Sequence, residues 1–115
     1  MTSKLKQNLL HKINRQDVPK IYETENVAIE QKKLLFKFFT PDSHWTWYAW
    51  EAEKIGDEDI KFFGPVDGDF LEMGYFYLSE LDRICGGLGL PVEIDQYPNE
   101  TEYQKMLRRL MKIEV

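Results

Sequence analysis

One run of residues constrains this chain more than any other: Phe38-Phe39-Thr40-Pro41-Asp42-Ser43-His44-Trp45-Thr46-Trp47-Tyr48-Ala49-Trp50. All three tryptophans of the chain fall within six positions, just after a Pro-Asp-Ser turn. Rings packed this densely either fill a core or form a binding face, since each has roughly 150–250 Å² to cover. Leu34–Phe39 and Trp45–Glu51 have high β-propensity. Between them Pro41 presets φ, and Asp42 and Ser43 can bond nearby backbone amides. The stretch therefore reads as a hairpin. With Phe39 opposite Trp45, alternation places Leu34, Phe36, Phe38, Thr46, Tyr48 and Trp50 on one face. Leu35, Lys37, Phe39, Trp45, Trp47, Ala49 and Glu51 take the other. The first face is the more uniformly apolar and is the expected core. The second, with Lys37 and Glu51 among its aromatics, is the expected half-covered or ligand-facing surface.

The flanking segments supply helices and further strands. Ser3 is placed to cap a helix through about Asn14, with Leu5, Leu9, Leu10 and Ile13 at helical spacing. Asp17, Pro19 and Ile21-Tyr22 leave it for an extended connector, and Val27-Ala28-Ile29 reads as a short edge strand. Glu53–Asp59 reads as an acidic loop, Lys61–Gly64 as the start of a strand, Asp67-Gly68-Asp69 as a turn and Gly74–Tyr77 as the third good strand. Ser79-Glu80-Leu81-Asp82 resembles a capping box that opens a short helix ending at Gly86-Gly87. Leu90–Ile94 reads as a last strand, at an edge because of Pro91. Asn99, with Glu102 three residues on, caps a C-terminal helix whose apolar stripe is Tyr103, Met106, Leu107, Leu110 and Met111. The fold class expected is α+β: a small, mainly antiparallel sheet with an N-terminal helix, a short helix after the third strong strand, and a C-terminal amphipathic helix.

At 115 residues the chain suits a single domain, residues 1–115, and 43% hydrophobic content supports one core. No apolar run approaches the ~20 residues that span a bilayer, and the N-terminus lacks the apolar stretch of a secretion signal. One cysteine, Cys85, allows no internal disulfide and suits a reducing cytoplasm. The formal charge of −5 is unevenly spread: residues 21–100 carry 17 acids against six bases, between two basic ends. That balance argues against a nucleic-acid groove across the middle, because phosphate contact needs a basic patch. It suits either an ordinary solvated surface or an acidic face that meets a basic protein.

The motifs, taken in order, resemble one bacterial family of unknown function, the domain-of-unknown-function family 2958. They are Val18-Pro19-Lys20-Ile21-Tyr22, Lys37–Ser43, Trp45-Thr46-Trp47-Tyr48, Phe62-Phe63-Gly64, Gly74-Tyr75-Phe76 with Leu78–Leu81, and Gly87–Glu93. The resemblance covers about residues 17–97, with 98–115 as an additional helix. His44 stands where the family often has Asn, and Cys85-Gly86-Gly87 replaces a more usual Arg-Gly-Pro. The resemblance implies a compact α+β fold and a mobile-element or phage setting, and it implies no reaction.

Asp42, His44 and Glu51 form the one candidate hydrolytic or metal set, but their spacing matches no metal motif and a catalytic zinc takes three protein ligands. The simpler reading is that Asp42 caps the turn and His44 is a surface residue. Cys85 before Gly-Gly reads as a small buried apolar residue, not as a nucleophile paired with a histidine. Gly86-Gly87-Leu88-Gly89 lacks the lysine and hydroxyl residue of a phosphate loop. No catalytic residue, metal or cofactor is assigned. Candidate binding residues are Trp45, Trp47, Lys37, Asp42, His44 and Glu51. The favoured function is a noncatalytic protein-binding module of mobile-element origin, with inhibition of a host defence system as one form. The alternative is a small metal-dependent hydrolase or nuclease using Asp42, His44 and Glu51. The expected partner is a protein, on a monomer or homodimer; the C-terminal helix is expected to dock on its own domain, over the Trp45/Trp47 face, with docking on a second copy as the alternative.

Overall fold

In a computed structural model of the chain, which describes residues 3–15 and 18–114, the aromatic hairpin lies inside a six-stranded antiparallel sheet. Strand β1 (Phe36–Phe39) pairs with β2 (Thr46–Ala49) on one side and with the two-residue β6 (Glu93–Ile94) on the other. Strand β2 and its continuation β3 (Glu51–Ile55) both lie against the long β4 (Asp59–Asp67), and β4 pairs with β5 (Leu71–Tyr77). Helix α1 is Ser3–Arg15, α2 is Leu78–Leu81 and α3 is Glu100–Glu114. The architecture is α+β, with the N-terminal helix, the short helix after the strands and the C-terminal amphipathic helix in their expected order.

The hairpin register differs from expectation by one residue. Phe39 lies opposite Thr46, not Trp45, and Phe38 opposite Trp47. The turn is closed one step further in, where the Thr40 amide donates to the Trp45 carbonyl at 3.0 Å and the Trp45 amide donates to Thr40 Oγ1 at 3.1 Å. A one-residue slip exchanges the faces of a whole strand. So Phe36, Phe38, Trp47 and Ala49 share one core with Leu9 and Leu10 of α1, Phe62, Phe76, Leu78, Leu81 and Val92. Tyr48, Trp50 and half-buried Leu34, expected beside Phe36 and Phe38, instead join a second core with Leu71 and Tyr103, Met106, Leu107 and Leu110 of α3. Helix α3 docks on its own sheet, against the Tyr48/Trp50 face; the Trp47 face belongs to the α1 side.

A second correction concerns the expected strand Trp45–Glu51. It is interrupted at Trp50 by a bulge. Between the pairs Trp47↔Val66 and Glu51↔Phe63, one strand advances four residues while the other advances three. The extra residue lets Trp50 and Glu51 turn toward the same side of the sheet, where alternation would have separated them. Gly64 makes room on β4: a Cβ there would lie 1.9 Å from the Tyr48 carbonyl oxygen. Its neighbour Pro65, without an amide donor, sits where β4 passes from β3 to β2.

Other boundaries shift for local reasons. The acidic Glu53–Asp59 stretch is mostly the β3–β4 hairpin, turning at Gly56, whose φ of +63° suits glycine. Val27-Ala28-Ile29 is no strand; a 3-10 turn spans Ile29–Gln31. Helix α2 begins at Leu78, a residue before the expected cap. Ser79 is inside it, giving its amide (3.0 Å) and hydroxyl (2.8 Å) to Asp59, while Glu80 accepts from the Tyr77 amide at 3.0 Å. The helix stops after one turn, well short of Gly86. The segment after Pro19 is a series of turns, not an extended connector. Asp17 and the side chains of Ser3 and Leu5 lie outside the described residues. The N-cap of α3 is as expected, with the Glu102 amide donating to Asn99 Oδ1 at 3.0 Å. No helix among the described residues is long and apolar enough to cross a membrane.

Candidate functional site

The bulge builds a pocket walled by aromatic side chains. By turning Glu51 under the sheet beside Trp50, it brings a carboxylate into a space lined mainly by apolar and aromatic side chains, where Glu51 is only 2% exposed. A buried carboxylate must be hydrogen-bonded or paired, and the turn after Pro19 meets that demand. The amides of Tyr22 and Thr24 each donate to Glu51 at 2.9 Å, and the Thr24 hydroxyl donates to the same carboxylate. Tyr22 is held at φ +73°, a left-handed conformation that few non-glycine residues adopt. The hydrogen bond from its backbone amide to the Glu51 carboxylate is a direct reason the turn closes this way.

Lys32 completes the floor. Its ammonium donates to the Thr24 carbonyl and, at 3.1 Å, to Thr24 Oγ1, and it lies 4.9 Å from the centre of the Trp50 ring. Burial lowers the Lys32 pKa, opposed by the charges of Glu51 and Glu25. Behind it, the Trp50 indole donates to the Tyr103 hydroxyl at 2.8 Å, and that hydroxyl donates to the Lys32 carbonyl at 2.7 Å. This chain of bonds ties the pocket floor to α3. Burial also pushes the Tyr103 pKa up to about 12.

Above the floor, Tyr22, Trp50, Phe63 and Tyr75 form the walls of a cavity of about 390 Å³. Tyr75 packs 4.9 Å from Phe63 and edge-on to Tyr22 at 6.4 Å. Its pKa is raised to about 12, chiefly by a side-chain hydrogen bond with Tyr22. Tyr22 and Tyr75 are 64% and 45% exposed, so the mouth of the pocket is aromatic and open to solvent.

The residues singled out in the sequence are distributed over five places. Glu51 is in the pocket. Lys37 lies on the α3 side, paired with Asp95 at 3.4 Å and Glu102 at 3.8 Å. Asp42 clasps the loop after α2, its Oδ2 accepting from the amides of Leu88 at 2.7 Å and Leu90 at 3.2 Å. Its Oδ1 packs against Gly86, where a Cβ would lie 1.8 Å away. His44 meets Asp69 at 3.0 Å on the surface. Asp42, His44 and Glu51 thus share no partner, and no group of three metal-ligating side chains forms among the described residues. Trp47 is buried and Trp45 half-buried, their rings stacked 5.9 Å apart beside a groove that Ile84 and Cys85 also line; Cys85 is exposed there, not buried as expected.

Tyr22, Lys32, Phe63 and Tyr75 were not among the sequence-derived candidates. A signal for them was present in Gly64-Pro65, a pair that in a strand marks a bulge or a close approach, and in the single acid of Trp50-Glu51-Ala52. A fold and a pocket of this kind define a small α+β protein with a ligand-sized aromatic recess. The chain belongs to the family described as a protein of unknown function, DUF2958, whose model matches residues 1–108 and so takes in most of α3. No curated protein and no solved structure matches it.

Proposed function

We propose that this protein is a noncatalytic protein-binding module, and that the pocket walled by Tyr22, Trp50, Phe63 and Tyr75 receives an apolar side chain of its partner. The observation that carries the reading is the use made of Glu51. Its carboxylate is occupied by Tyr22 and Thr24, so it builds the pocket wall instead of standing free for proton transfer. Lys32 already lies over Trp50, which leaves the apolar walls as the open part of the cavity. Exposed tyrosines around a preformed recess are what interface hot spots are made of. The acidic balance of residues 21–100, 17 acids against six bases, favours a basic partner. A cytoplasmic, mobile-element protein that covers a basic groove of a host defence protein fits these features.

Selection of random peptides displayed on phage tests the reading. The expected result is enrichment of sequences with one large apolar residue flanked by lysine or arginine, bound about tenfold more weakly by a Tyr22→Ala/Tyr75→Ala variant. Enriched peptides that bind the variant and the parent equally would overturn it.

A further inference from the structure

We propose that the partner is bound as an added β-strand along the outer edge of β5, and that the strand is an extended basic segment of another protein with apolar residues at alternate positions. This rests on the pocket reading above but is carried by a separate observation, the state of the sheet margins. Three margins are open to comparison: β6 has two residues; β3, paired only with β4, has its outward Ala52 amide donating to the Pro19 carbonyl at 2.9 Å; and β5 has seven residues, paired along its whole length with β4 and with no other strand. The bonding pattern shows which way its backbone groups point. The Phe63 carbonyl accepts from the Trp50 amide at 2.8 Å, so odd positions here on β4 face β3. Even positions 62, 64 and 66 then bond Phe76, Gly74 and Glu72, their partners in register. Leu71, Met73 and Tyr75 turn their amide and carbonyl groups outward. Tyr77 agrees, since its amide leaves the ladder for Glu80. Among the described residues, no other segment hydrogen-bonds the backbone of Met73 or Tyr75.

Natural sheets blunt such an edge with lysine, proline, a bulge or a covering segment. Leu71-Glu72-Met73-Gly74-Tyr75-Phe76-Tyr77 has no lysine, no proline and a continuous register. The same two residues with outward backbone groups, Met73 and Tyr75, line the pocket with their side chains. A strand laid about 4.8 Å outside β5 would therefore run along the pocket mouth, with alternate side chains directed to that side. Main-chain bonds would supply registration and the recess would select the side chain. Charge favours the occupant. Lys32 at the pocket is turned inward to Thr24 and Lys61 lies over the Tyr75 ring, while Glu72 is on the edge and Glu25 at the pocket, in a chain of formal charge −5 that a second copy would repel and a basic strand would attract.

The test uses the full chain and a capped peptide of about seven residues, the length of β5, in which lysine alternates with valine around a central phenylalanine. Amide hydrogen exchange is followed residue by residue. With peptide in excess, exchange at Met73 and Tyr75 should slow at least about tenfold, while Glu72, Gly74 and Phe76, already in the ladder, should not change. The peptide N-methylated at alternate residues, which cannot donate to β5, should give no protection, and this control alters nothing in the protein. Met73→Pro, which removes an outward donor while leaving the bonds to β4, should give the same loss. Peptide binding without protection at Met73 and Tyr75 would overturn strand addition and leave the pocket reading standing. Protection that survives Tyr22→Ala would uphold strand addition and remove the pocket's share in it. Concentration-dependent protection without peptide, with a doubled mass in light scattering, would make the occupant a second copy and overturn the basic segment.

Discussion

On the α1 side of the sheet, Phe36, Phe38, Phe62 and Phe76 pack ring against ring, with centroid distances from 5.2 to 6.5 Å, and no polar atom takes part. On the α3 side, Tyr48, Trp50 and Tyr103 each bring a polar atom, and the Trp50–Tyr103–Lys32 bonds join them to the Glu51 site. Both sides bury large rings. The four rings of the first are held by packing alone, with no directional bond among them. The second fixes positions through hydrogen bonds, each worth less than a ring but costly to leave unmade. Under the proposed binding role, one face supplies stability and the other trades some of it for a recess of defined shape.

The largest effect expected is from removing α3. Truncation after Tyr97 uncovers Tyr48, Trp50 and Leu71 and discards four buried side chains of the helix. It should raise dye binding and lower the melting temperature independently of protein concentration. A full-length dimer that becomes a well-folded monomer on truncation would show that α3 serves assembly, and would break the pairing of one helix to each face. Next in size is Phe38→Ala. Phe38 is fully buried amid three other rings, so the loss should be about 3–5 kcal/mol in denaturant unfolding. The pocket should keep its shape, with the Trp50 fluorescence environment unchanged in the folded variant.

The α1 side was largely legible in the sequence, and the α3 side much less so. Leu9, Leu10, Phe36, Phe38 and Phe76 lie in elements whose propensity and periodicity are strong, and all are buried. The register of Phe39 depends on whether the turn closes at Thr40 and Trp45, a matter of one hydrogen-bonded pair that composition does not weigh. The bulge at Trp50 is harder still. It exists because Gly64 admits the Tyr48 carbonyl and because the turn at Tyr22–Thr24, some 27–29 residues away, supplies donors to Glu51. No local pattern encodes a partner at that distance. Glu51 was marked as a candidate residue by its place among aromatics, but the company it keeps was assigned to Asp42 and His44 on the grounds of proximity along the chain.

Glu51→Ala should cost less than Phe38→Ala, about 2–3 kcal/mol, because it leaves donors from Tyr22, Thr24 and Lys32 without their acceptor or counter-charge. Its signature is local. Exchange at the Tyr22 and Thr24 amides should accelerate far more than exchange in β1. If the whole sheet loosens together, the two faces are not separable in the way described.

The smallest effect, and the sharpest discriminator, is alkaline pH. Burial raises the pKa of both Tyr48 and Tyr103 to about 12, from an ordinary value of 10.0. A raised folded-state value means that the neutral hydroxyl is the form the fold favours. The stability this contributes is complete below pH 10 and is lost progressively as pH rises toward 12, where the folded hydroxyls must ionise. The α1-side ring cluster contains no titrating group, so Phe38→Ala should lower the denaturation midpoint by the same amount at pH 9 and pH 11.5. Tyr103→Phe should behave differently. At pH 9 it should destabilise by about 1–3 kcal/mol, because Trp50 Nε1 and the Lys32 carbonyl lose their partner. At pH 11.5 part of that deficit should vanish, because the variant has no hydroxyl to ionise there. Lysine neutralisation acts on parent and variant alike, so the difference between them isolates the tyrosine. A Tyr103→Phe deficit that stays constant across that range would mean that the hydroxyl reaches water, and that the pocket floor is not tied to α3 through a buried chain of bonds.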